Sequence, residues 1–259
     1  MMRQPIWIGT SWKMNFTIGE SCYYVTKLAA ALPIEGTQPF VLPSHTSLAA
    51  VTASLPANAG LLVGAQNAHW AKEGSGTGEI SMRMAADAGA RIVELGHSER
   101  RSQFGETDET VSLKVRAAAD HGLIPLICVG EPGQVRDAGG ATDYVEAQLS
   151  RATALLTPEE VGNALIAYEP VWAIGEDGRP ATSDETGPIM KTLAAQLSKV
   201  SASGRCRALL YGGGVNTTNA QDLLQDPHTE GLFVGRAAWH VGGLLSLLEI
   251  AASHASNCR

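Results

Sequence analysis

Short apolar segments recur along the whole chain and alternate with segments of helical character. Eight apolar runs stand out, at 5–12 (PIWIGTSW), 39–43 (PFVLP), 60–67 (GLLVGAQN), 90–98 (ARIVELGHS), 123–131 (LIPLICVGE), 164–172 (ALIAYEPVW), 206–215 (CRALLYGGGV) and 231–237 (GLFVGRA). Most are continuously apolar, which is typical of parallel strands that are covered on both faces. The pattern therefore predicts eight parallel β-strands.

The segments between these runs predict helices. The clearest candidates are 108–122, 143–156 and 183–200. Asp108 and Ser183 stand where helices should start, and Gly122 stands where a helix should stop. Eight strands that alternate with helices predict an α/β fold, a single-domain (β/α)8 TIM barrel over residues 1–259, with a doubly wound open sheet as the weaker alternative.

Composition and charge narrow the classes of partner. Hydrophobic residues make up 44% and charged residues 17% of the chain, which favours a sizeable core over disorder. The formal net charge of −7 argues against nonspecific binding to nucleic acid or to an anionic membrane. No leader-like segment or membrane-length apolar run is visible. We therefore expect no nucleic-acid partner and no membrane partner. A small anionic substrate stays possible, because a local cluster of donors can outweigh a weakly negative whole.

The cysteine pattern predicts a reducing compartment. Cys22, Cys128, Cys206 and Cys258 are scattered, with no CxxC pair and no metal-ligand spacing. We therefore expect reduced thiols in a cytoplasmic protein, with a disulfide framework as the alternative.

Polar and glycine residues follow the predicted strands at the end where barrel active sites lie. In chain order they are Lys13, Gln66-Asn67, His97-Ser98-Glu99, Glu169, Gly212-Gly213-Gly214 and Gly235-Arg236. Taken singly, such a lysine is usually a solvated charge and such a histidine a structural group. Their convergence on one rim is what predicts an active site. A glycine-rich loop directly after Glu169 suggests a movable cover over that carboxylate.

Five motifs at these positions closely resemble the triosephosphate isomerase family. They are GTSWKMN (9–15), GAQN (64–67), ELGHSERR (94–101), YEPVWAIG (168–175) and YGGGVN (211–216). They occur in the family's order and are spread along nearly the whole length of the chain. The resemblance implies an isomerase that moves a proton between adjacent carbons of a sugar phosphate through a cis-enediol or enediolate, without a cofactor or metal.

The resemblance also assigns the catalytic roles. Glu169 would be the general base, His97 would polarise the carbonyl as a neutral imidazole, and Lys13 would stabilise the developing oxyanion. Ser98 and Glu99 would support these groups without touching substrate. For Glu99, a surface ion pair is nearly as good an interpretation as an orienting role for Lys13.

The loop after Glu169 resembles the family's lid. Pro170, Val171 and Trp172 would form the first hinge, followed by Ala173, Ile174 and Gly175 toward the tip, with Arg179, Pro180 and Ala181 as the second hinge. A lid would keep a phosphorylated enediolate dry during turnover. Backbone N–H groups of Gly175, Gly214, Gly235 and Arg236 would hold the phosphate.

Several positions around the substrate depart from the family's usual pattern. Ser11 replaces an asparagine, Gly214 replaces a serine, and 235–240 reads GRAAWH in place of GGASL. The departures resemble the tetrulose-phosphate branch of the family, which serves erythritol breakdown and converts L-erythrulose 1-phosphate to D-erythrulose 4-phosphate. Ser11 would free room for the additional hydroxymethyl group of that substrate. Arg236 could bind phosphate or point outward into an ion pair.

Two other functions remain open at this point. One is a conventional triosephosphate isomerase, which interconverts dihydroxyacetone phosphate and D-glyceraldehyde 3-phosphate in glycolysis and gluconeogenesis. The other is a non-catalytic barrel that binds phosphate esters. The resemblance further implies a homodimer through the 72–79 loop (KEGSGTGE), with Thr77 at its tip beside the partner's lysine and histidine. Without the family, that segment is only a glycine-rich surface loop.

Overall fold

Eight parallel strands close into a barrel in simple sequence order, from β1 around to β8 and back to β1. The computed structural model describes residues 4–175 and 178–257. The strands are β1 (Ile6–Ser11), β2 (Thr37–Leu42), β3 (Leu62–Ala65), β4 (Ile92–Leu95), β5 (Ile124–Val129), β6 (Leu165–Tyr168), β7 (Ala208–Tyr211) and β8 (Gly231–Val234). Seven of the strands lie within their apolar runs, and β2 begins two residues before its run, at Thr37. The barrel prediction is therefore confirmed and the open sheet is excluded.

The helices surround the barrel. In the described residues they are α1 (Ile18–Ala29), α2 (His45–Ala53), α3 (Met82–Asp87), α4 (Ser98–Phe104), α5 (Asp108–Asp120), α6 (Gly133–Asp137), α7 (Ala141–Thr153), α8 (Pro158–Asn163), α9 (Ser183–Val200), α10 (Ala220–Leu224) and α11 (Val241–Asn257). Short 3₁₀ helices cover Val171–Ala173 and Arg236–Ala238. None of the described helices is both long and apolar enough to span a bilayer.

Two predicted helix starts are displaced by one residue. Asp108 and Ser183 are the first helical residues, and the N-caps are Thr107 and Thr182. The Thr107 hydroxyl accepts from the Thr110 backbone N–H at 3.3 Å. Thr107 therefore caps α5 in place of Asp108. Gly122 follows the end of α5 with a φ of +69°, as its predicted role in stopping the helix requires.

The barrel interior is filled by side chains from alternate strand positions. Trp7 and Phe40 belong to one buried cluster inside the strands, and Phe233 stacks on Phe40 with ring centroids 5.8 Å apart. Gly9 leaves room for these rings, since a Cβ there would lie 1.9 Å from the Phe40 ring. The same inward alternation continues upward to Ser11, which brings polar residues to the carboxyl end of the strands.

A second buried cluster lies between the strands and the helices. On α5, for example, Val111 and Val115 are one helical turn apart and both are fully buried. Burial of two such side chains stabilises the fold by about 1.5–3 kcal/mol each. With apolar contacts on both faces, the strands need not alternate in sequence, which explains their continuous apolar runs. Cys22, Cys128 and Cys206 are free thiols, and Cys258 lies outside the described residues.

Candidate active site

A cavity of about 520 Å³ opens at the carboxyl end of the barrel strands. The predicted site residues that line it are Ser11, Lys13, His97, Glu99, Glu169, Gly175, Gly214, Gly235 and Arg236. They come from the ends of five strands, so only the barrel closure brings them together. Ser98 is the first residue of α4 and is not among the residues that line this cavity.

Glu169 is held at the floor of this cavity by its backbone and by two glycines. Its N–H donates to the Val129 carbonyl at 2.7 Å. A Cβ at Gly130 would lie 1.8 Å from the Glu169 carbonyl oxygen, and one at Gly212 would lie 2.8 Å from its Cγ. The side chain is buried, yet Oε2 has no hydrogen-bond partner among residues 4–175 and 178–257. Burial, and then the nearby Glu94 carboxyl, raise the pKa of Glu169 well above its usual range.

His97 caps α4 with its imidazole ring. Nδ1 accepts from the Glu99 backbone N–H at 3.1 Å, so the proton of a neutral ring sits on Nε2. Nε2 lies 3.8 Å from Oε1 of Glu169. Burial, followed by the positive charge of Lys13, lowers the pKa of His97 to about 4. The geometry therefore presents a neutral N–H donor to the cavity beside a carboxylate.

Lys13 occupies a strained backbone position with a φ of +54°. Gln66 supports it, because its side-chain amide donates to the carbonyls of Lys13 at 3.0 Å and Leu42 at 2.9 Å. The Lys13 ammonium donates to Glu99 Oε1 at 2.6 Å. The two interpretations of Glu99 are therefore compatible, because Glu99 forms an ion pair and its partner is Lys13, the residue that Glu99 was expected to orient.

The first hinge of the predicted lid is anchored to the barrel. Trp172 Nε1 donates to Oε1 of Glu131 at 2.7 Å, and the Tyr168 hydroxyl donates to the same oxygen at 3.2 Å. The guanidinium groups of Arg136 and Arg179 lie 4.2 and 4.7 Å from the Trp172 ring centroid. Both hinges therefore meet at one tryptophan.

The second hinge is tied to the helix that follows it. Arg179 forms an ion pair with Glu185 in α9 at 2.5 Å. Gly175 adopts a φ of +92°, a conformation that favours glycine. Glu176 and Asp177, at the predicted tip, lie outside the described residues.

Arg236 bridges from the eighth strand to this loop. Its Nη2 donates to the Gly175 carbonyl at 2.9 Å. Within the described residues it forms no ion pair, so the outward ion pair considered from sequence is not seen. The guanidinium lines the cavity and is attached to the loop that covers it.

Sequence reasoning missed one carboxyl group at the centre of the site. Glu94 lies in β4, two residues after the inward-facing Ile92, and is buried. Its Oε2 accepts from the Ser11 hydroxyl at 2.8 Å. Burial raises the pKa of Glu94 to about 7, although the hydrogen bond from Ser11 and the charge of Lys13 oppose the shift. A carboxylate in the middle of an apolar strand was the available signal, because such a residue needs a buried partner.

Three buried side chains in the site are of types that ligate metal ions. One ligand atom each from Glu94, Cys128 and Glu169 lies within 4.8 Å of the others. Burial raises the pKa of the Cys128 thiol well above its usual range. Loading a metal would therefore require the removal of protons from a thiol and from carboxyls whose pKa values are also raised.

A second cavity of about 500 Å³ adjoins the first. The two share Ser11, Lys13, His97 and Glu99, and the second adds Glu94, Gln66 and Asn67 among its lining residues. Asn67 accepts from Lys114 at 2.9 Å, and Lys114 forms a buried ion pair with Glu106. The pair Gln66-Asn67 thus supports this side of the site.

The 72–79 loop projects from the barrel, and Thr77 is exposed. Its base is closed by the His69 N–H, which donates to the Ile80 carbonyl at 2.7 Å. The His69 ring stacks on Trp70 with centroids 4.0 Å apart. His69 and Trp70 therefore shape the base of the loop.

Comparison with known proteins places this architecture and site in one family. The family model for triosephosphate isomerase matches residues 6–251. The L-erythrulose-1-phosphate isomerase of Mycolicibacterium smegmatis is 50% identical over 252 residues, which cover 96% of this chain and 94% of that protein. The protein of the same name from Mesorhizobium japonicum is 45% identical over 258 residues, which cover 97% and 99%.

A solved structure agrees with the sequence relatives. The crystal structure of triosephosphate isomerase from Bartonella henselae superposes with a TM-score of 0.85 at 34% identity, over 96% of this chain and 99% of that one. The matched segment includes all eight strands and every described residue of the candidate site. The chain belongs to the triosephosphate isomerase family and is an isomerase.

Proposed function

We propose that this enzyme converts L-erythrulose 1-phosphate to D-erythrulose 4-phosphate through a cis-enediol or enediolate. The observation that carries the proposal is a carboxylate and a neutral imidazole 3.8 Å apart in a cavity next to Lys13, in a chain 45–50% identical to proteins named L-erythrulose-1-phosphate isomerase. No cofactor or metal is needed for this reaction, because the proton moves between neighbouring carbons.

Glu169 acts as the general base. It removes the proton from the substrate carbon between the carbonyl carbon and the hydroxymethyl group, and the electron pair of that bond forms the enediolate double bond. The same carboxyl group then returns the proton to the former carbonyl carbon. The unpartnered Oε2 and the raised pKa suit this task, since a buried carboxylate with few hydrogen bonds is a stronger base.

His97 and Lys13 stabilise the oxygen atoms. His97 donates its Nε2 proton to the carbonyl oxygen as negative charge develops there, and it moves a proton between the two oxygens. A neutral imidazole matches an enediolate better than an imidazolium would, because the acidity of the neutral imidazole N–H is closer to that of the enediol. Lys13 contributes a fixed positive charge, and Glu99 keeps its ammonium in place.

The other end of the cavity binds the phosphate. Backbone N–H groups of Gly175, Gly214, Gly235 and Arg236 hold it, and the loop from Pro170 to Ala181 covers it. Arg236 links the two, because its hydrogen bond to the Gly175 carbonyl joins the phosphate side of the cavity to the lid. Closure excludes water from an intermediate that would otherwise expel its phosphate.

We further propose a cytoplasmic homodimer in which the 72–79 loop of each subunit enters the second cavity of its partner. That cavity borders Lys13 and His97, and its rim carries Met14 and Phe104, which expose 98% and 66% of their surface. Two apolar side chains left in water beside an active site support coverage by a partner. Light scattering on the wild type and on Thr77→Arg tests this, and equal monomer masses for both would refute it.

The decisive experiment compares substrates on one preparation. We expect kcat/KM to be higher for L-erythrulose 1-phosphate than for dihydroxyacetone phosphate, and Glu169→Asp to lower both strongly. Preference for the triose would establish the alternative, a conventional triosephosphate isomerase of glycolysis and gluconeogenesis, and would remove the assignment to erythritol breakdown. Turnover of neither substrate, with phosphate-ester binding intact, would favour a non-catalytic barrel.

A further inference from the structure

The hydroxyl group of Ser11 has one proton, and that proton is directed away from the substrate cavity. It is donated to Glu94 at 2.8 Å, between two buried side chains. Trp239 fixes the Ser11 backbone, since its Nε1 donates to the Ser11 carbonyl at 3.0 Å. With its proton engaged, the Ser11 oxygen presents only lone pairs to its other neighbours.

Ser11 lies where the two cavities meet. It is shared by both cavities, with the glycines of the phosphate side in the first cavity and Glu94 in the second. A substrate whose phosphate lies at those glycines, and whose reacting carbons lie between Glu169 and His97, directs any further carbon toward Ser11. Whatever hydrogen-bonds to Ser11 there must be a donor.

We propose that Glu94 is a positioning residue that sets substrate specificity, because it holds the Ser11 hydroxyl as an acceptor for the distal hydroxyl group of a four-carbon ketose phosphate. The inference rests on the proposed function and deepens it. Room for a hydroxymethyl group would merely admit the larger substrate, whereas an oriented acceptor selects it.

The physical reason is the cost of an unsatisfied polar group. The distal hydroxyl loses its water when it enters the cavity, and it recovers a hydrogen bond from the Ser11 oxygen. A three-carbon substrate has no hydroxyl at this place and leaves the oriented oxygen without a donor. Sites built to bind a hydroxyl discriminate strongly against analogues that lack it.

The charge of Glu94 controls how firmly Ser11 is oriented. The ionised carboxylate can only accept, so it binds the Ser11 proton, whereas the protonated acid can itself donate to Ser11 and release that proton toward the substrate. The titratable groups around Glu94 are Lys13 after β1, His97 and Glu99 after β4, Glu106 before α5, Cys128 in β5 and Glu169 after β6.

The ionisation of Glu94 makes the substrate selectivity depend on pH. With a pKa of about 7, Glu94 is mainly an acceptor above pH 7 and mainly a donor below it. The preference for the tetrulose phosphate should therefore increase as the pH rises through 7. Titration of Glu169 and of the substrate phosphate changes the rates for both substrates alike, so it cancels in the ratio of their kcat/KM values.

The test measures that ratio, L-erythrulose 1-phosphate over dihydroxyacetone phosphate, from pH 5.5 to 8.5. In the wild type we expect it to rise about tenfold across pH 7. In Glu94→Gln the ratio should not change with pH, because the amide does not titrate. In Ser11→Ala it should be about 10- to 100-fold below the wild-type value at pH 8. Adding Glu94→Gln to Ser11→Ala should change the ratio little further, since both act through one hydrogen bond.

Glu131→Gln is the matched control. This buried glutamate supports the lid through Trp172, so its replacement should lower kcat/KM for both substrates and keep the pH-dependent ratio. A Glu94→Gln enzyme that keeps the wild-type ratio at every pH would overturn the inference, while the proposed function would stand if the wild type still prefers the tetrulose. A wild type that prefers the triose at every pH would overturn both. If Glu94→Gln does not fold, a Ser11→Ala enzyme with the wild-type ratio gives the same refutation.

Discussion

Replacing Glu94 with glutamine should stabilise the fold much more at pH 8 than at pH 5. Burial raises the pKa of Glu94 from an ordinary 4.5 to about 7, so the folded protein holds this proton more tightly than the unfolded chain does. Folding stability contributed by a bound proton is present below pH 4.5 and is lost as the pH rises to 7 and above. The glutamine does not titrate and escapes that loss.

The size of the effect follows from the shift. Each pKa unit corresponds to about 1.4 kcal/mol, so a rise of this size makes the ionised Glu94 cost about 3 kcal/mol of unfolding free energy above pH 7. Glu169 adds to the effect with the same sign. The substitution removes the negative charge of Glu94 from beside Glu169, so the ionised Glu169 is also less costly in the variant at high pH. The constant cost of changing the contact with Ser11 does not depend on pH and drops out of the comparison.

Urea unfolding at pH 5, 6, 7 and 8, at one protein concentration, measures this difference. The free energy of unfolding of Glu94→Gln minus that of the wild type should rise by about 3 kcal/mol across the series. Glu249→Gln, an exposed carboxylate on α11, is the control and should give a nearly constant difference. A constant difference for Glu94→Gln as well would show that Glu94 ionises in the fold at no extra cost, and the argument from burial would be wrong.

Three further changes test other parts of the structure. His97→Asn should lower kcat about 10²- to 10⁴-fold in steady-state assays, because the neutral donor beside Glu169 is lost, and a loss below tenfold would contradict that role. Gly214→Ser should lower kcat/KM about fivefold, roughly 1 kcal/mol of crowding, because a Cβ would lie 3.4 Å from the Pro180 Cα in the lid hinge, and an unchanged value would mean that the hinge yields. Lys114→Met should lower the free energy of unfolding by about 3 kcal/mol in urea titrations, because Glu106 would be left buried without its lysine, and a change below 1 kcal/mol would show that Arg100 alone is sufficient.

The strands and the loops of the barrel position different groups of the site. Ser11, Glu94 and Cys128 lie in strands and Glu169 directly follows β6, and burial raises the pKa values of Glu94, Cys128 and Glu169. The loops bring His97 and the glycines to the same place from outside that layer. The strand ends thus position Glu169, the proposed base, while the proposed lid belongs to the loops.

The sequence alone determined the number and order of the strands, because parallel strands buried on both faces leave continuous apolar runs that survive any detail of packing. It also placed Lys13, His97 and Glu169 at strand ends, since a barrel puts all its strand ends on one rim. Their proposed roles came from the family resemblance, because a lone lysine, histidine or glutamate has no distinctive spacing.

Only the tertiary structure decided which polar groups touch. The contact of Ser11 with Glu94 spans 83 positions, and the ion pair of Lys13 with Glu99 spans 86, so neither leaves a local pattern. Arg236 likewise reaches the lid carbonyl across 61 positions, a partner that neither sequence alternative included. The protonation states of Glu94 and His97 were also decided only by the tertiary structure. Their pKa values depend first on burial, and these side chains become buried only once the barrel has closed.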